Sequence, residues 1–92
     1  MLIADLIWDE VNVEHIARHR VEPHEVEQAI WDDPHVRRGP GKSRYRLYGQ
    51  TDGGRYLFIV LDREYDDVFY IVTARDMDKR EKQQYQRVGG GR

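Results

Sequence analysis

The side chains that could do chemistry in this chain are histidine, arginine, tyrosine and carboxylate, because the 92 residues contain no cysteine. Thiol catalysis is therefore excluded, and the chain has no GxSxG, no Walker loop and no GxGxxG. His15 and His19 stand four apart, a metal-ligand spacing, with Glu14, Glu22, His24 and His35 near them in the chain. A zinc protease would need glutamate directly after the first histidine, and Ile16 follows instead. No metal and no cofactor is expected, and His19 reads first as a cation closing a helix against its dipole. "GPGK" (Gly39 to Lys42) lacks the spacing of a phosphate-binding loop, and Ser43 opens no helix.

What remains is metal-free acid–base chemistry, and RNA cleavage fits it. That reaction needs a base for the 2′-hydroxyl, an acid for the leaving 5′-oxygen and cations for the phosphorane, while RNA supplies its own nucleophile. His19 is the candidate acid or base, since an imidazole serves in either role near neutral pH, whereas the phenol of Tyr85 would need tuning. The charges are segregated along the chain. Residues 1–35 hold nine acids against Arg18 and Arg20, residues 36–63 hold seven bases against Asp52 and Asp62, and the remainder balances six against six. A net charge of −2 thus hides a middle region suited to an anion and an acidic N-terminal third suited to a basic partner segment.

These residues need elements to hold them. The length predicts one domain, residues 1–88, with a flexible tail at 89–92. No apolar run approaches the roughly 20 residues of a membrane span, so a cytoplasmic protein is expected. "LIADLIW" reads as a strand, and "VNVEHIARH" as a helix with Val13, Ile16 and Ala17 on one stripe. Pro23 suits the first turn of a second helix, which buries Val26, Ala29 and Ile30 before Asp32, Asp33 and Pro34 stop it. "RRGPGKS" (Arg37 to Ser43) is a basic loop that offers Arg37, Arg38 and Lys42 to a polyanion. "RYRLYGQ", "RYLFIVLDR" and "VFYIVTAR" follow as an antiparallel meander, with Asp52-Gly53 and "EYDD" as its turns. A last helix runs from about Lys79 to Arg87, started by Asp78 as N-cap with Glu81 at capping-box spacing. The fold class is α+β: an antiparallel sheet of about four strands, two N-terminal helices on one face and a C-terminal helix.

A two-residue Asp52-Gly53 turn sets residue 50 opposite 55, and closure through "EYDD" sets 63 opposite 68. In that register Tyr45, Leu47, Phe58, Val60, Phe69, Ile71 and Thr73 share a core face. Arg44, Arg46, Tyr48, Leu57, Ile59, Leu61, Arg63, Tyr70 and Val72 share the other, a mixture of arginine and tyrosine over an aliphatic floor that suits phosphates and stacked bases. Arg44 and Arg63 would hold phosphate at one end, with Arg46 and Tyr48 lining the groove. A one-residue slip would exchange the faces. Arg75 would lie about 20 Å away at the other end, in a bridge to Glu81 with Tyr85 packed alongside.

Several of these residues together resemble one family. "WDE" at Trp8, "RHRV" closing the first helix, "DDP" after the second, Arg44 five residues before Gly49, "DR" at Arg63 and "TARD…E…Y" through Arg75, Glu81 and Tyr85 look like BrnT, over residues 8 to 85. The resemblance implies a RelE-like fold and a type II toxin that cleaves messenger RNA without a cofactor and so inhibits translation. On this reading Arg63, Arg44, His19, Arg75 and Tyr85 are the catalytic candidates, with Trp8, Asp78 and Glu81 structural. It also implies a small antitoxin partner, ribbon-helix-helix-like, through which alone the pair would reach operator DNA. The chain departs from the family at Val11, where a lysine is usual, at His15 for asparagine, at Arg20 for glycine, at Pro23 for an aromatic and at Tyr70 for arginine. Two cations are lost thereby, and the alternative reading is a catalytically inactive BrnT-like module that binds an antitoxin or nucleic acid.

Overall fold

Local caps mark where the chain enters its helices. Asp9, Glu22 and Asp78 each occupy an N-cap: Asp9 and Asp78 exchange side-chain and backbone hydrogen bonds with the third helical residue, Asn12 and Glu81, while the Glu22 N–H donates to the Glu25 carboxylate. The computed structural model describes residues 1–89. Its elements are β1 (Asp5–Ile7), α1 (Glu10–Ala17), α2 (Pro23–Ile30), β2 (His35–Arg38), β3 (Arg44–Gln50), β4 (Tyr56–Tyr65), β5 (Val68–Asp76) and α3 (Lys79–Arg87). The part of the expected tail beyond Gly89 lies outside the described residues.

The sheet has five strands in the order β1-β5-β4-β3-β2, which corrects the expected four. β1 runs parallel to β5, while the other neighbours are antiparallel, so the sheet is mixed. The strand absent from the sequence reading is β2, four residues between Pro34 and Gly39 that are too short to show an alternation. Arg37 and Arg38 thereby belong to an edge strand rather than to the basic loop.

Both hairpins close differently from the expected register, and a glycine explains the first. Gly54 has φ +91, and its N–H bonds the Thr51 carbonyl at 2.9 Å, so the loop holds three residues and Gln50 faces Tyr56. In the second hairpin Asp66, at φ 45, and Asp67 form a tight loop that sets Tyr65 against Val68. Register shifts follow between Arg63 and Tyr65 and between Val60 and Leu61. The β4 faces are therefore exchanged. Leu57, Ile59 and Leu61 are fully buried in the core, with Tyr45, Leu47, Phe69, Ile71 and Ala74. Phe58 and Val60 turn to the opposite face, and Thr73, expected in the core, pairs with Val60 there.

α1 and α2 cover the core face through Ile16, Val26, Ala29 and Ile30. α2 approaches β3 so closely that a Cβ built on Gly49 would stand 2.5 Å from the Ala29 carbonyl oxygen. Because the obstruction is backbone, Gly49→Ala should lower stability by about 2 kcal/mol through overpacking. A urea midpoint left unchanged would mean that α2 slides freely on the sheet.

α1 ends on a Schellman pattern, in which Val21 N–H bonds the Ile16 carbonyl and Arg20 N–H bonds that of Ala17. Arg20 takes φ 60 at the position where the resemblance places glycine, so the departure keeps the backbone turn and adds left-handed strain. Its carbonyl accepts a 2.7 Å bond from Arg55. Arg55 also bonds the His19 carbonyl, the Glu25 carboxylate and the Asp76 carboxylate, tying α1, α2 and β5 to the start of β4. Among the described residues no helix is long and apolar enough to cross a membrane.

Candidate nucleic-acid interface

The face of the sheet turned away from α1 and α2 carries His35 and Arg37 from β2, Arg44, Arg46 and Tyr48 from β3, Phe58 from β4 and Arg75 from β5. Cross-strand pairing fixes this set, with His35 opposite Tyr48, Arg37 opposite Arg46, and Phe58 between Tyr48 and Arg75. α3 lies over one end of it. The buried Tyr85 ring stands edge-on to His35 at 5.1 Å and to Tyr56 at 5.9 Å, and Gln86 donates to the Tyr56 hydroxyl at 3.1 Å.

Arg75 fastens that helix. Its guanidinium lies 4.3 Å over the Phe58 ring and meets Glu81 through two bonds of 2.8 and 3.1 Å, while Glu81 also accepts the Asp78 N–H. The carboxylate holds the Arg75 proton more firmly than usual, chiefly through this hydrogen bond. With its charge matched and its plane stacked, Arg75 anchors α3, and a phosphate would have to compete with Glu81 for it.

Between α3 and β2–β3 lies a cleft lined by His35, Arg37, Tyr48, Glu81, Gln84, Tyr85 and Val88. It encloses about 20 Å³, room for one water or the edge of a polar group and too little for a base. A ligand here must lie across the surface. Arg37 and Arg46 stand directly opposite on this face, and neither is in an ion pair among the described residues; the one hydrogen bond of Arg46 is a 3.4 Å contact to the Arg38 carbonyl. Like charges opposed across a ladder repel, and a bridging anion would remove that repulsion. One further hydroxyl on this face is occupied: Tyr70, where the resemblance has arginine, donates to Asp9 at 3.1 Å, and burial with this neighbour pushes its phenol up.

The expected phosphate clamp is not formed. Arg44 is on this face but is matched by Asp62 through bonds of 2.9 and 3.0 Å, and that carboxylate raises its proton affinity. Arg63 is on the opposite face, a consequence of the register. Its guanidinium stacks 4.8 Å over Phe69, bonds Asp67 at 3.0 Å and reaches the Asp66 carbonyl. Arg38 also faces that side, bonding the Tyr45 hydroxyl and the Lys42 carbonyl, with Lys42 exposed in the β2–β3 loop. His19 does not line the cleft; its ring stands 5.8 Å from that of the exposed His15. Trp8 packs against the core, with its buried Nε1 lacking a hydrogen-bond partner among the described residues. Val11 is 71% exposed on α1.

The structure therefore brings together Arg37, Arg46, Tyr48, Glu81 and Tyr85 and separates Arg44, Arg63 and His19 from one another. It adds His35, which the sequence reading used only as a metal neighbour. The available signal was its two-residue spacing from Arg37 in an edge strand.

The fold has a counterpart of known structure. The crystal structure of the Brucella abortus ribonuclease toxin BrnT is similar to this chain with a TM-score of 0.62, over 82% of this chain and 97% of that one, at 19% sequence identity. The chain has a BrnT-like fold. No family model and no curated protein matches the sequence. At this identity the likeness is one of fold, so residue roles rest on this chain's geometry.

Proposed function

We propose that the α3 side of the BrnT-like sheet binds single-stranded RNA and cleaves it without a metal, as a toxin acting on messenger RNA. The observation that carries this reading is the carboxylate-free Arg37–Arg46 pair beside a cleft holding His35 and Tyr85. A phosphodiester laid between the two guanidiniums gains charge-assisted bonds, and negative charge developing on its equatorial oxygens meets cations already in place. His35 stands next along β2, where an imidazole can take the proton from the 2′-hydroxyl. The hydroxyl oxygen then attacks phosphorus, the bond to the 5′-oxygen breaks, and that oxygen takes a proton from Tyr48 or Tyr85. The products are a 2′,3′-cyclic phosphate and a 5′-hydroxyl end. Aromatic faces on the same surface provide stacking for neighbouring bases.

As a toxin, the chain arrests growth when expressed alone, and co-expression of a small ribbon-helix-helix-like antitoxin relieves the arrest. The test is expression of the wild type beside the Arg37→Gln/Arg46→Gln variant, with purified protein assayed on RNA. Arrest and cleavage that the double substitution abolishes support the reading. Unimpaired growth with well-expressed wild type and no RNA cleavage would overturn it. RNA binding without product leaves the alternative, a binding module, for which the carboxylate matching of Arg44, Arg63 and Arg75 speaks.

A further inference from the structure

The outward side of α3 differs from an ordinary solvated helix in its charge. α3 contains Lys79, Arg80, Lys82 and Arg87 against Glu81 alone, and Glu81 is turned inward onto Arg75. None of those four cations is in an ion pair among the described residues. Exposed helices commonly set opposite charges at i and i+4; here the residues four from Arg80 and Arg87 are Gln84 and Gln83. Arg80, Gln83, Gln84 and Arg87 line one open groove, and Gln84 also lines the cleft that holds His35 and Arg37. The two surfaces are thus continuous through one side chain.

We propose that this α3 stripe is a second RNA contact, taking the single strand where it leaves the cleft. The cleft is too small to hold a base, so a bound strand passes over one of its walls; α3, whose outward cations are in no ion pair among the described residues, is the wall facing the Arg37–Arg46 pair. Seven residues separate Arg80 from Arg87, about 10 Å along the helix, so the two guanidiniums meet different phosphates. Gln83 and Gln84 each offer a donor and an acceptor on one amide, the combination that reads an unpaired base edge. The stripe would contribute affinity and sequence preference while leaving bond cleavage to the cleft. This assignment rests on the RNA reading of the cleft, and its test separates the two.

Labelled, non-cleavable RNAs of about 3 and about 12 nucleotides are titrated by fluorescence anisotropy over a salt series, with wild type and the Arg80→Gln/Arg87→Gln variant. For the longer RNA the plot of log affinity against log salt should become shallower by about 1.4, roughly 0.7 for each lost phosphate contact. For the shorter RNA both slope and affinity should stay unchanged, as should cleavage of a short substrate. Gln83→Ala should alter the ranking of longer sequences without altering the slope. An unchanged slope for the longer RNA, with wild type binding it, overturns the stripe alone. Absence of binding to either RNA removes the stripe and the cleft reading together, whereas stripe-dependent binding without cleavage removes only the catalysis. A duplex DNA competitor that displaces the longer RNA at equal concentration would assign the stripe to DNA instead.

Discussion

Arg55→Ala is expected to destabilise the fold by about 3 kcal/mol, more than removal of any of the exposed cations. One guanidinium joins four segments, through the carbonyls of His19 and Arg20 and the carboxylates of Glu25 and Asp76. The Glu25 contact dominates, since the side chains are only 26% and 20% exposed and truncation leaves a shielded carboxylate without its cation. The Asp76 contact is shorter at 2.7 Å, but Asp76 is 61% exposed and solvent screening discounts it. For a domain of this size, each kcal/mol corresponds to roughly 4–8 °C, so the melting temperature should fall by about 12–24 °C. Arg55→Lys should recover little, because an ammonium cannot span carbonyls and two carboxylates with one planar fork. The pH dependence supplies an internal check. Arg55 holds the Asp76 carboxyl below its ordinary value near 3.8, so the folded state prefers the ionised form. That stabilisation is complete above the ordinary value and is lost as pH falls through the depressed one. Wild type and Asp76→Asn should therefore converge in stability under acid conditions. A variant at Arg55 with an unchanged denaturation midpoint would show the four segments to be held by apolar packing alone.

The Arg55 junction also shows what the sequence made legible. Helix starts were readable because their signals are local: Pro23 at a first turn, and Asp78 with Glu81 three residues on, are interactions within a few residues. The Arg75–Glu81 anchor was readable for the same reason, as its partners lie six residues apart. Arg55 was not, since its partners are 21 to 36 residues away and nothing near "GGRY" announces them. The site failed on a subtler point. Strand alternation identified the outward residues of β3, but transferring faces to β4 depended on one turn, and Asp52-Gly53 was followed by a second glycine. Gly54 takes the left-handed position, lengthens the loop by one residue and turns Arg63 to the helix side. The motif pairing of Arg44 with Arg63 thus joined residues that the sheet separates. His35 escaped notice because Pro34 and the glycines around Pro40 obscure a four-residue strand.

His35→Ala should lower the RNA cleavage rate by about 10²- to 10⁴-fold, the range for removal of a positioned acid or base. The imidazole stands opposite Tyr48 and edge-on to Tyr85, so its plane is set by neighbours on two elements, β3 and α3. It shares one cleft with Arg37, whose β2–β3 partner Arg46 meets no carboxylate among the described residues. Stability should fall by no more than about 1 kcal/mol, because His35 is half-exposed on an edge strand and the loss is one ring contact. The functional and structural effects of this substitution are therefore separable. Binding of a non-cleavable RNA should be nearly unchanged, placing the loss in kcat rather than KM, the signature of an interaction that strengthens in the transition state. Arg37→Gln, by contrast, should weaken binding and make it less sensitive to salt, as loss of a phosphate contact requires. Tyr85→Phe distinguishes the roles further. It keeps the ring that packs on His35 and Tyr56, so α3 stays seated, and a fall in rate would mark the hydroxyl as the proton donor to the 5′-oxygen. Cleavage by His35→Ala at the wild-type rate would transfer the acid–base role to the cleft tyrosines and leave the histidine as part of the seat for α3.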